Sequence, residues 1–190
     1  MSGFFKIKWW PRKIKVKIKK EVPVINFDEY YQSPNFSKRK SEIDSIIIHH
    51  TAGTFPGCAK WLSMAESKVS AHIVITQDGN TYRLVAEHNR AWHAGRGSFD
   101  ANKDGIISPA EKFWNDHSIG IELEAVKPYS YSEDQLDALT RLVYYYVYEY
   151  HSIKIEQILG HKEIAPDRKI DPANFDMDEF REKINRWKNG

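Results

Sequence analysis

Three consecutive isoleucines run directly into two histidines: Ile46-Ile47-Ile48-His49-His50. Side chains alternate across a strand, so an unbroken apolar run needs cover on both faces. Ile43–His50 therefore reads as a central strand with a layer on each side. The two histidines end it, on opposite faces if the strand stays regular. At that end, side chains project into a site at the sheet edge.

The rest of the chain supplies partners for such a sheet. Val69–Thr76 and Thr81–Ala86 read as strands joined by the turn Gln77-Asp78-Gly79-Asn80. Ser118–Glu124 alternates, with Ile119, Ile121 and Leu123 against Ser118, Gly120, Glu122 and Glu124. Ile155–Leu159 is a short strand. Cys58–Ser67 reads as a short helix and Asp176–Lys188 as a terminal one. Ser132–His151 is the strongest helix, with Leu136, Leu139, Leu142, Val143, Tyr146, Val147 and Tyr150 on one stripe. Ser132 and Gln135 give it a capping-box pattern. Alternating strands and helices imply an α/β fold: one domain with a central mixed β-sheet flanked by helices.

We expect that domain over residues 41–190, after a basic N-terminal extension and linker over 1–40. Lys6, Lys8, Arg12, Lys13, Lys15, Lys17, Lys19 and Lys20 meet no acid within the first twenty residues. Ile14, Val16 and Ile18 alternate with lysines, as in a lysine-guarded edge strand or a loose arm. The same charges suit contact with an anionic polymer or membrane surface. Val22–Ser41, with Pro23 and Pro34, reads as a connecting loop.

The formal net charge of +2 is too small to argue for nucleic acid as a partner. The single cysteine, Cys58, excludes an internal disulfide. No stretch approaches the roughly 18 apolar residues of a membrane span. The N-terminus also lacks the apolar run of a signal peptide. These features point to a cytoplasmic protein.

Eight histidines are present, and any one alone is more often a core or surface residue than a ligand. His49 and His50 end a central strand, His161 follows another strand end at Leu159-Gly160, and Asp171 lies ten residues further on. Two histidines and one carboxylate, with a fourth position open to water, are the donor set of a catalytic zinc site.

Five ordered segments carry a family likeness. They are Ile46-Ile47-Ile48-His49-His50-Thr51-Ala52-Gly53, Val69-Ser70-Ala71-His72, Arg90-Ala91-Trp92-His93-Ala94-Gly95, Asn115–Glu124 and Gly160–Pro172. Together they resemble the zinc-dependent N-acetylmuramoyl-L-alanine amidases of type 2, a family shared with phage T7 lysozyme and the peptidoglycan recognition proteins. The last segment is similar to the AmpD branch, which recycles anhydromuropeptides. The resemblance spans about residues 40–185. It implies that fold, zinc as cofactor, and hydrolysis of the amide between N-acetylmuramic acid (or its 1,6-anhydro form) and L-alanine. It makes peptidoglycan or a muropeptide the partner. It aligns His49, His161 and Asp171 with the zinc ligands, Glu122 with the general base and Lys169 with the transition-state lysine. Glu124 shares a strand face with Glu122 and competes for the base role. His50 reads as structural or as a support to the site. His72, Trp92 and His93 fall in motifs that line the substrate groove, and Lys68 and Arg96 are candidate anchors for peptide carboxylates. A binding module without catalysis, or a lysin released to the wall, are the rival readings.

A second metal motif is independent of that likeness. Residues 100–111 fit the twelve-residue EF-hand loop, with Asp100, Asn102, Asp104, Ile106, Ser108 and Glu111 at the liganding positions and Gly105 at the turn. They are candidate calcium ligands. A polar surface insertion with an Asp-Gly turn fits the same residues.

Overall fold

The computed structural model describes residues 22–97 and 112–189. The lysine-rich arm and the expected calcium loop, Asp100 to Glu111, lie outside the described residues.

The chain forms, in order, β1 (Phe36–Lys38), β2 (Ser45–His50), α1 (Gly57–Ser63), β3 (Ile73–Ile75), β4 (Thr81–Arg83), β5 (Asn89–Ala91), β6 (Arg96–Gly97), β7 (Lys112–Phe113), α2 (Trp114–His117), β8 (Ser118–Leu123), α3 (Glu133–Glu149), β9 (Ile158–Gly160), α4 (His161–Ile164) and α5 (Met177–Asn189). The main sheet has the order β4-β3-β8-β2-β9. β3, β8, β2 and β9 run parallel, and β4 pairs antiparallel with β3. This is the expected mixed sheet, with the isoleucine strand inside it.

One face of the sheet is uniformly apolar. Ile46, Ile48, Ile73, Ile75, Ile119, Ile121, Leu123 and Ile158 pack against Leu139, Leu142, Val143 and Tyr146 of α3 and Phe180 and Ile184 of α5. The other face carries two separate small clusters. Ile47 and Leu159 join Ala94, Trp114, Ile164 and Ala165. Val74 joins Cys58, Leu62, Ala71 and Leu84. Both faces of β2 are therefore buried, which is why its apolar run is unbroken.

The expected elements shift in informative places. Cys58–Ser67 is not one helix: α1 ends at Ser63, and a 3₁₀ turn, Ala65–Ser67, leads into Lys68 with a left-handed backbone. Ile155–Leu159 divides into a 3₁₀ turn, Ile155–Gln157, and the start of β9. Half of the capping box forms: Ser132 accepts from the Gln135 amide at 3.1 Å. The Gln135 side chain instead crosses to the sheet and donates to the carbonyl of Ile75 at 2.8 Å.

Residues 22–40, read as a connecting loop, pack against the rest of the chain. β1 pairs with β5, and the Ser33 hydroxyl donates to the Leu62 carbonyl at 2.6 Å. The Asn35 amide donates to the carbonyls of Met64 and Val69 at 2.7 and 2.9 Å. Buried carbonyls near α1 need donors, and this segment brings them. Its prolines stop regular structure without stopping packing.

Candidate functional site

The site opens between the two small clusters, at the ends of β2, β8 and β9. His49 is the penultimate residue of β2 and stands opposite Glu122 of β8. His161 begins α4 directly after β9. Asp171 arrives on the loop after α4. The Lys162 amide donates to the Asp171 carbonyl at 2.7 Å and fixes that loop's position.

His49 Nδ1, His161 Nδ1 and Asp171 Oδ2 form a triangle with all three sides 2.9 Å. These are the residues that could hold a metal. Tetrahedral ligands about 2.0–2.1 Å from one zinc ion lie about 3.3 Å apart, so the donors converge on one point in a triangle slightly tighter than a loaded site. The chemistry of the donors agrees. His161 Nε2 faces the Ala94 carbonyl at 3.3 Å, which can only accept, so Nε2 carries the ring proton. His161 Nδ1 then presents a bare lone pair to the other donors. Burial, opposed by the neighbouring Asp171 carboxylate, holds His49 down at about 4. Asp171 sits well below the ordinary carboxylate range: burial alone would raise it, but the neighbouring His161 and His49 prevail. Neutral imidazoles and an ionised carboxylate are the forms that bind a metal.

Glu122 in β8 and Glu124 just beyond its end separate cleanly. Glu122 Oε2 is buried without a hydrogen-bond partner. Burial pushes its carboxyl up to about 8, with help from Asp171 and against the charge of Lys169. Glu124 has both oxygens committed: Oε1 accepts from the Phe55 amide at 2.8 Å and Oε2 from the Gln77 amide at 2.9 Å. It ties loops together, while Glu122 keeps its lone pairs. Lys169 is partly buried, and its charge bears on both His49 and Glu122.

The other expected residues divide. His93 joins the centre, with Nδ1 3.0 Å from His49 Nε2. Burial, with further push from His49, His72, His161 and Arg39, takes it well below its ordinary range. His72 is fully buried and does not line a groove. Its Nδ1 accepts from the Gly120 amide at 2.9 Å, and its Nε2 lies 3.2 Å from the Asn89 carbonyl. Both ring nitrogens are used inside the wall, so none is left for a ligand. Trp92 is half-buried, with its indole N–H donating to Ser37 at 3.3 Å. Lys68 and Arg96 are exposed; the Arg96 guanidinium lies 4.3 Å over the Phe113 ring.

His50 faces the opposite side of β2 from His49, as expected. It stacks on Tyr129 at 4.1 Å, and its Nδ1 accepts from the Ala173 amide at 3.0 Å. It thereby pins the loop that carries Asp171. Arg39 is a support that sequence reasoning missed. Its guanidinium donates to the carbonyls of Glu87, Asn89, Asn115, Asp116 and Ser118. Burial lowers it to about 10. Nothing in its local sequence separates Arg39 from its basic neighbours.

Comparison with known proteins agrees with this geometry. The chain is 29% identical over 174 residues to the 1,6-anhydro-N-acetylmuramyl-L-alanine amidase AmpD of Haemophilus influenzae, covering 80% of this chain and 90% of that one. It is similar to the crystal structure of a selenomethionine AmpD derivative, with a TM-score of 0.65 and 27% identity over 84% of this chain and 99% of the other. It also resembles the Escherichia coli amidase AmiD, solved in complex with anhydro-N-acetylmuramic acid-L-Ala-D-γ-Glu-L-Lys. There the TM-score is 0.60 and the identity 28%, over 82% of this chain and 60% of that one. The N-acetylmuramoyl-L-alanine amidase family model matches residues 39–174, which hold the whole triad and Glu122, and the chain belongs to that family.

Proposed function

We propose that this chain is a zinc hydrolase that cleaves the amide between the lactyl group of N-acetylmuramic acid and L-alanine, acting on soluble anhydromuropeptides. The observation that carries the reading is the convergence of His49, His161 and Asp171 beside Glu122, whose buried Oε2 has no hydrogen-bond partner. The anhydromuramyl-L-alanine bond on which the AmpD and AmiD relatives act supports the choice of bond.

Zinc bound by His49, His161 and Asp171 would supply a Lewis acid that polarises the scissile carbonyl and makes water acidic near neutral pH. Glu122 takes the attacking water's proton and returns it to the leaving amine. A carboxyl raised towards neutrality is matched to both transfers. Lys169 meets the oxyanion with a fixed positive charge. Lys68 and Arg96, both exposed, are the candidate anchors for carboxylates of the stem peptide. The calcium reading of Asp100, Asn102, Asp104, Ile106, Ser108 and Glu111 rests on the sequence alone.

The test uses anhydro-muramoyl-tripeptide and intact sacculi, with free peptide read by mass spectrometry. Activity should vanish on chelation, return with zinc and favour the soluble substrate. Zinc-loaded protein that binds the muropeptide without cleaving it would make the chain a recognition module. Efficient clearing of sacculi would make it a lysin.

A further inference from the structure

A directed hydrogen-bond chain runs from Ser118 through His93 to His49, the first member of the metal triad. It begins at a main-chain carbonyl. The Ser118 hydroxyl donates to the Trp114 carbonyl at 2.5 Å, which uses its only proton. Toward His93 Nε2, 3.3 Å away, the Ser118 oxygen can then only accept. His93 Nε2 must therefore carry that ring's proton. A neutral imidazole carries one, so His93 Nδ1 is bare and accepts. Its partner at 3.0 Å is His49 Nε2, which must be the donor. The His49 proton is thereby fixed on Nε2, and Nδ1 is left bare toward His161 and Asp171.

We infer that His93, oriented by Ser118, is the positioning residue that sets the His49 tautomer for metal binding. The inference rests on the zinc reading of the triad. The fold supports it in a second way. Gly120 lies on β8 beside Ile47, and a Cβ there would come within 2.8 Å of three His93 ring atoms. The strand surface is bare at the one place where the ring lies against it. His161 is held in the same sense by the Ala94 carbonyl, so the two histidine ligands have separate orienting groups.

The experiment measures zinc affinity by competition with a chromophoric chelator. It also reads the His49 tautomer in zinc-free protein by ¹⁵N-histidine NMR. Wild type should show His49 protonated on Nε2. His93→Phe keeps a ring and removes the acceptor; it should weaken zinc binding by roughly 10–100-fold and abolish the tautomer preference. His93→Gln restores an acceptor and should recover most of the affinity. Should His93→Phe fail to fold, Ser118→Ala makes the same test, with a smaller loss and a mixed His49 tautomer. His49→Ala is the reference: if it leaves zinc binding intact, the triad reading fails. If His49→Ala abolishes binding while His93→Phe and Ser118→Ala bind within twofold of wild type, or if His49 carries its proton on Nδ1, this inference alone is overturned.

Discussion

His49 and His50 are neighbours in sequence and lie on opposite faces of β2, and their surroundings differ accordingly. His50 enters the side covered by α3 and α5, where a stacked tyrosine and one backbone amide occupy it. His49 enters the side where the apolar layer is split in two. The first face is filled with aliphatic side chains and gains stability from their burial. The second gives up that gain at its centre, where buried His49 sits with half-buried His93 and Glu122. Burying such groups is costly unless they are paired or neutralised. One sheet therefore separates stability from chemistry by the pleat alone.

The sharpest way to break this comparison is to change neighbours that face opposite ways. Glu122→Gln should lower amidase turnover by about 10²–10⁴-fold, the usual weight of a general base. Its melting temperature should hold or rise, because a buried carboxyl without a partner is removed. A variant that melts several degrees lower would make Glu122 a structural residue. Ile121→Ala, one position away on the filled face, should do the reverse. A buried isoleucine truncated to alanine costs about 2–5 kcal/mol, read by denaturant unfolding. The molecules that remain folded should turn over within a few-fold of wild type. If turnover collapses in proportion to stability or beyond, the two faces are not separable.

How much of this was legible follows the same division. The filled face is written in local pattern: the isoleucine run, the alternation of β8 and the stripe of α3 each name their own partners. The triad of His49, His161 and Asp171 was legible because its residues sit in ordered motifs at strand ends. What the sequence leaves open is direction. Nothing local says that Glu124 is consumed by the amides of Phe55 and Gln77 while Glu122 is left bare. His72 and His93 sit in similar motifs, yet one is locked into the wall and the other reaches a ligand. Those outcomes depend on amides and carbonyls brought from far along the chain. Arg39 is the extreme case, since its role is defined by five carbonyls between residues 87 and 118.

Acid should expose the cost of the chemical face. His49 and His72 are held at about 4 and about 3, chiefly by burial. The unfolded chain takes up protons near pH 6.5, well before the folded one can. Stability of the zinc-free protein should therefore be full above about pH 7 and erode as pH falls from about 6.5 toward 4. His49 alone contributes on the order of 3 kcal/mol over that window. Asp171, held low, adds its own loss only below about pH 4. Denaturation melts of zinc-free protein between pH 7 and pH 4.5 read this directly. Zinc should move the loss to lower pH, since a bound metal competes with the proton. A flat profile for the zinc-free protein would mean that these histidines are not buried neutral.

The smallest effect tests whether the filled face is as divisible as it looks. Ser132 caps α3 through the Gln135 amide, and Ser132→Ala should cost about 1 kcal/mol. Gln135 is fully buried and spans from the helix to the sheet, donating to the carbonyls of Ile75 and Glu124 at 2.8 and 3.2 Å. Gln135→Ala removes two hydrogen bonds, about 0.5–1.5 kcal/mol each, although the Ile75 carbonyl keeps the Glu124 amide at 2.9 Å and the Glu124 carbonyl keeps the Gln77 side chain at 2.7 Å. It should therefore exceed Ser132→Ala. The Glu124 carbonyl lies two residues from Glu122, the proposed general base, so this is also the variant of the pair that should disturb turnover. Equal losses in the two variants, with turnover unchanged in both, would show that the helix end acts only as a cap and that the filled face stops short of the chemistry.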